Sequence, residues 1–106
     1  MDGGGTDVNE KGELQTVWRR EGNIFAARPG EPEQKLGEGK NCALASVKNL
    51  NVYSWSENGM IVKRKPCGEK KMLGNGTSPV LKIPDKSHAI CEWAAENNIK
   101  ASKIKL

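Results

Sequence analysis

Apolar side chains in this chain come in short runs that alternate with polar ones, and Gly, Asn and Pro interrupt them at close intervals. A period of two is the signature of half-buried strands. Leu14 to Arg20 carries the β-type residues Val17 and Trp18. Glu21-Gly22-Asn23 punctuates it and Ile24-Phe25-Ala26-Ala27 follows, which predicts a hairpin. Asn58-Gly59 predicts a second one, because both central positions of a type I′ turn need positive φ. Counting outward pairs Glu57 with Met60, Ser56 with Ile61, Trp55 with Val62, Ser54 with Lys63 and Tyr53 with Arg64. Tyr53, Trp55, Val62 and Arg64 then share one face, and Ser54, Ser56, Ile61 and Lys63 the other.

Another Asn-Gly, Asn75-Gly76, lies between Lys70-Lys71-Met72-Leu73 and Val80-Leu81-Lys82-Ile83. It predicts a further hairpin, with Pro79 at an edge or a bulge because it lacks a donor. Asp85 suits a helix N-cap, and Ala89, Ile90, Trp93 and Ala94 follow at helical spacing, so a helix is expected over about 86–97. Asn41 could cap a short helix near 41–48, with Leu44 and Val47 on one face, although the length also suits a strand. Ile99 to Leu106 reads as a last strand. The expected fold is α+β: a small, mostly antiparallel sheet of 4–6 strands with two Asn-Gly hairpins, and a helix packed on one face. Residues 1–12, with four Gly and few apolar side chains, are expected to be a disordered tail. Residues 13–106 form the single domain, with a mobile loop at 29–40.

Composition narrows the classes of function. The chain has 106 residues, one domain at most. No apolar run approaches the ~18 residues of a membrane span, and no secretory leader is expected from Met1-Asp2-Gly3-Gly4-Gly5. Three Cys at wide spacing do not suit a disulfide scaffold, so a reducing compartment, cytoplasm or nucleus, is the expected location. The formal net charge is +4, but it is unevenly placed. Residues 1–37 are slightly acidic, and the excess of Lys and Arg lies in the rest of the chain.

Lys63-Arg64-Lys65 and Lys70-Lys71 put five cations within nine residues, against the single acid Glu69. Clustered cations of this kind neutralise phosphates and release counterions. Lys40 adds to the same basic region. Tyr53 and Trp55, on the face of Arg64, would supply base stacking if exposed. The leading expectation is a non-enzymatic domain that binds DNA or RNA through Lys63, Arg64, Lys65, Lys70, Lys71, Lys40, Tyr53 and Trp55. No cofactor or metal is expected with it. The alternative is a protein-interaction module using an edge strand or a Trp18/Phe25 patch.

A third class rests on Cys42, Cys67, His88 and Cys91. Four such residues could close a tetrahedral zinc site, although no Cys-x-x-Cys knuckle is present. Asn41-Cys42-Ala43-Leu44 with the later Ser87-His88-Ala89 is loosely similar to the papain-like cysteine proteases. That resemblance implies a thiol hydrolase with Cys42 as nucleophile and His88 as base. Separately, Val80-Leu81-Lys82-Ile83, Asp85-Lys86, Ile90, Trp93 and Ile104-Lys105-Leu106 resemble the strand–helix–strand ending of small translation-initiation-factor domains. The resemblance implies that ending and no function.

Overall fold

A computed structural model describes residues 2–8, 12–47, 50–65 and 68–105. Eleven strands run in chain order: β1 (Asp2–Val8), β2 (Leu14–Arg20), β3 (Asn23–Ala27), β4 (Gln34–Glu38), β5 (Lys40–Val47), β6 (Leu50–Glu57), β7 (Met60–Arg64), β8 (Lys71–Asn75), β9 (Thr77–Asp85), β10 (His88–Ala95) and β11 (Asn98–Lys105). They form three antiparallel meanders, β1-β2-β3-β4, β5-β6-β7-β8 and β9-β10-β11. No helix occurs among the described residues.

The α+β expectation is therefore corrected to all-β. The helix expected over 86–97 is β10 with the two-residue turns on either side of it. Ala89, Ile90, Trp93 and Ala94 fit a helical stripe, but Ala89, Cys91 and Trp93 fit strict alternation, and these three are the residues the fold buries. Asp85 does accept a backbone N–H, from Ser87 at 2.7 Å, but it closes a tight turn between β9 and β10. The short helix near 41–48 is β5, where Ala45 is buried and Cys42 and Leu44 pack on the core. The strand–helix–strand ending shared with initiation-factor domains falls with the helix.

The Asn58-Gly59 hairpin has the register counted from the sequence, from Tyr53 opposite Arg64 to Glu57 opposite Met60. Asn58 and Gly59 both have positive φ, 49° and 78°. The hairpin at Glu21-Gly22 joins β2 and β3 as expected. Asn75-Gly76 does something else. β8 pairs with β7, β9 pairs with β10, and Gly76 carries the chain from one sheet to the next. The segment expected as a disordered tail contributes β1, paired along β2, and the expected loop at 29–40 contains β4.

The sheets stack face to face through their first strands. β5 lies against β1 on one side and β9 on the other, whereas β4 and β8 make no comparable contact with a neighbouring sheet. The sheets thus spread like a fan, the arrangement that consecutive blades adopt in a β-propeller. Two hydrophobic clusters fill the joints. Val17, Ile24, Ala26 and Leu36 of the first sheet meet Tyr53, Trp55 and Val62 of the second. Val52 and Ile61, on the other face of the second sheet, meet Ala89, Cys91, Trp93 and Ile104 of the third.

The two joints repeat one design. Trp55 and Trp93 each reach into the preceding sheet and donate the indole N–H to a last-strand carbonyl, Glu38 at 3.0 Å and Asn75 at 2.9 Å. Gly39 and Gly76 each donate their N–H to the hairpin glycine of the preceding sheet, Gly22 and Gly59, at 2.9 Å. Behind this lies an internal repeat: Trp18, Trp55 and Trp93 stand 37 and 38 residues apart, and Leu36-Gly37-Glu38-Gly39 returns as Leu73-Gly74-Asn75-Gly76. Each repeat is one sheet that cannot bury its faces alone.

Candidate anion-binding cleft

The residues expected to meet nucleic acid fall into three places. Tyr53 and Trp55 are in the first joint, 1% and 0% exposed, and present no ring face to solvent. The Tyr53 hydroxyl accepts a 2.7 Å hydrogen bond from Gln15 Nε2, and burial pushes the phenol up from its ordinary value. These aromatics serve the core, because a chain with five aromatic residues and two joints to fill has few to spare.

Lys40 and Lys70 line an open cavity of about 730 Å³ between the first and second sheets. The Lys70 ammonium is 2.7 and 2.9 Å from the two carboxylate oxygens of Glu57, so its charge is met within the protein. Arg19, in the same cavity, donates its Nε–H to the Gly39 carbonyl at 2.8 Å.

Lys63, Arg64, Lys65 and Lys71 come together elsewhere. With Lys105 they line a cavity of about 280 Å³ at the joint of the second and third sheets, floored by Val52 and Ile104. One carboxylate residue, Glu69, is in the lining with them. The β7–β8 register sets Lys63 directly opposite Lys71. Like charges in that position repel and weaken a sheet. Lys63 is half-buried. Burial, then the charges of Lys71 and Lys65, holds its ammonium below the ordinary lysine value. Arg64 plays a different part: its Nη1 donates to the Leu36 carbonyl at 2.6 Å, and its Nε is buried with no hydrogen-bond partner among the described residues. It ties the second sheet to the first, and its guanidinium lies on the face opposite to Lys63. Sequence reading missed Lys105, which is 42 residues beyond Lys63 and reaches the cleft only through the stacking of β11 beside β10.

The thiol and metal candidates do not converge. Cys42 packs against the first joint, and burial pushes its thiol above the ordinary value, the reverse of an activated nucleophile. His88 Nδ1 is 3.1 Å from Asp85 Oδ1. Cys91 is buried with its sulfur 3.4 Å from the Ser54 hydroxyl. In a helix His88 and Cys91 would share a side, but in β10 their odd separation puts them on opposite faces. No group of three or more metal-ligating side chains occurs among the described residues, and Cys67 lies outside them. No protein-family model matches the chain, nor does any curated protein or solved structure.

Proposed function

We propose that the chain binds nucleic acid through phosphate, in the cleft lined by Lys63, Lys65, Lys71 and Lys105. The observation that carries this reading is the cross-strand pair Lys63–Lys71 in the lining of the cleft. A fold gains nothing by placing two ammonium groups opposite each other and depressing one of them. The arrangement is relieved when an anion enters, because phosphate oxygens satisfy both cations and release their counterions. With Tyr53 and Trp55 buried, the cleft meets the backbone rather than stacked bases, so affinity exceeds sequence selectivity.

The test is a salt series of binding to short labelled RNA and DNA strands, single and double. Affinity should fall linearly on a log–log plot, and Lys63→Gln with Lys71→Gln should flatten the slope by about 0.7–0.9 for each phosphate that is no longer neutralised. The pH dependence has a definite sign. Bound phosphate favours charged Lys63, so affinity is full where Lys63 is already protonated. It declines as pH rises through that lowered value, earlier than an ordinary lysine would allow. Lys63→Arg should keep binding and remove this early decline. Equal affinity for the wild type and the double variant at low salt would exclude the cleft as the site.

A further inference from the structure

We propose that the outer face of the first sheet and the outer face of the third are the two halves of one more joint of the same design, and that a second copy of the chain completes it, two copies closing head to tail into a six-sheet ring.

The repeat identifies the halves. Trp18 occupies the position of Trp55 and Trp93, and Phe25 is its cross-strand partner as Val62 is that of Trp55. Trp55 and Trp93 are buried against the sheet before them. Trp18 and Phe25 point the other way from Val17 and Ile24, on the face of the first sheet that no sheet covers. Their rings stack on each other with centroids 6.0 Å apart, and the Arg20 guanidinium lies 4.4 Å over Phe25.

The opposite end shows the complementary half. Ile24 and Ile61, each one step beyond a turn, are both fully buried because each receives the tryptophan-bearing face of the next sheet. Ile99 is the third residue in that series and is 72% exposed. Val80, 52% exposed, lies on the same face of the third sheet, two strands away through Glu92 and Ala94. Between them Glu92 pairs with Lys82 at 3.1 Å, so this face sets exposed Ile99 and Val80 around one ion pair, and exposed large apolar side chains grouped on one face mark an interaction surface.

The occupant follows from continuity with the joints already present. What fits Ile24 and Ile61 is the tryptophan-bearing face of the next sheet, with Val62 across from Trp55 and Lys100 across from Trp93, and the first sheet of another copy offers such a face with Phe25 across from Trp18. A head-to-tail arrangement either closes into a ring or runs on as a filament. Six sheets lie within the four to eight at which such fans close. The new joint lacks one feature of the other two, since the third sheet has no fourth strand among the described residues to offer the indole a carbonyl. It should therefore be the weakest of the three and reversible on dilution.

The test is sedimentation velocity of the 106-residue chain from sub-micromolar to high-micromolar concentration. The expected result is a monomer–dimer equilibrium with no larger species. Ile99→Asp and Trp18→Asp should each shift the dissociation midpoint at least tenfold upward while leaving the far-ultraviolet dichroism unchanged. Mixing the two variants restores one intact joint and should bring dimer back at concentrations where each alone is monomeric. A monomer at every concentration, an open ladder of oligomers, or a dimer indifferent to both substitutions would overturn the proposal. Failure of mixing to rescue would point to a face-to-face dimer and overturn it as well. Nucleic-acid binding by the cleft is independent of this outcome.

Discussion

At Gly39 and Gly76 the chain leaves one sheet and enters the next so close to its neighbour that no side chain fits. Both have φ of +150°. A Cβ at Gly39 would meet the Ser56 carbonyl and the Trp55 ring, and one at Gly76 would meet the Ala94 carbonyl and the Trp93 ring. Two residues on, Asn41 and Ser78 take matching left-handed conformations, φ 56° and 55°. Gly22 and Gly59 also have positive φ, but open space surrounds them. Alanine at Gly22 or Gly59 should cost about 1 kcal/mol, the backbone preference alone. Alanine at Gly39 or Gly76 should cost several-fold more, on the order of 3 kcal/mol, because backbone and indole must both shift. Urea unfolding of the four variants checks the ranking.

Among the elements, the sheet joint is the unit that stabilises the molecule. Trp55 fills the first joint and Trp93 the second, each anchored at its indole N–H. Trp55→Ala and Trp93→Ala should each cost roughly 3–5 kcal/mol. Trp18→Ala, measured on the dilute monomer, should cost much less, because its joint is open. Chemical denaturation of the three variants separates these cases. The strands with the plainest alternation are legible in sequence. The Asn58-Gly59 hairpin is legible to the residue, since turn chemistry and alternation fix register together. β10 is not, because Ala89, Ile90, Cys91, Trp93 and Ala94 satisfy both a helical and an extended period, and Asp85 serves a turn as well as a cap. Asn75-Gly76 misleads because it turns the chain between sheets rather than within one. The signal that settles each of these is the spacing of Trp18, Trp55 and Trp93 together with the two Leu-Gly-x-Gly segments. The basic run is legible as a cluster, but its division between a paired Lys70 and the unmatched Lys63–Lys71 pair depends on tertiary packing.

For the molecule as a whole, one design accounts for the fold, the cleft and the free ends. Three repeats give two buried joints, a basic cleft where the second joint opens to solvent, and two complementary faces left over. The principal extents, 39 × 34 × 21 Å, reflect this: the shortest is about the length of a six-residue strand. The most direct test is hydrogen exchange of the three indole N–H groups, followed by NMR on dilute protein at low salt. Trp55 and Trp93 should exchange slowly, with protection close to that of the core amides, and Trp18 quickly. Three indoles exchanging at similar rates would contradict the stacked repeats, and with them the cleft and the end faces that depend on that stacking.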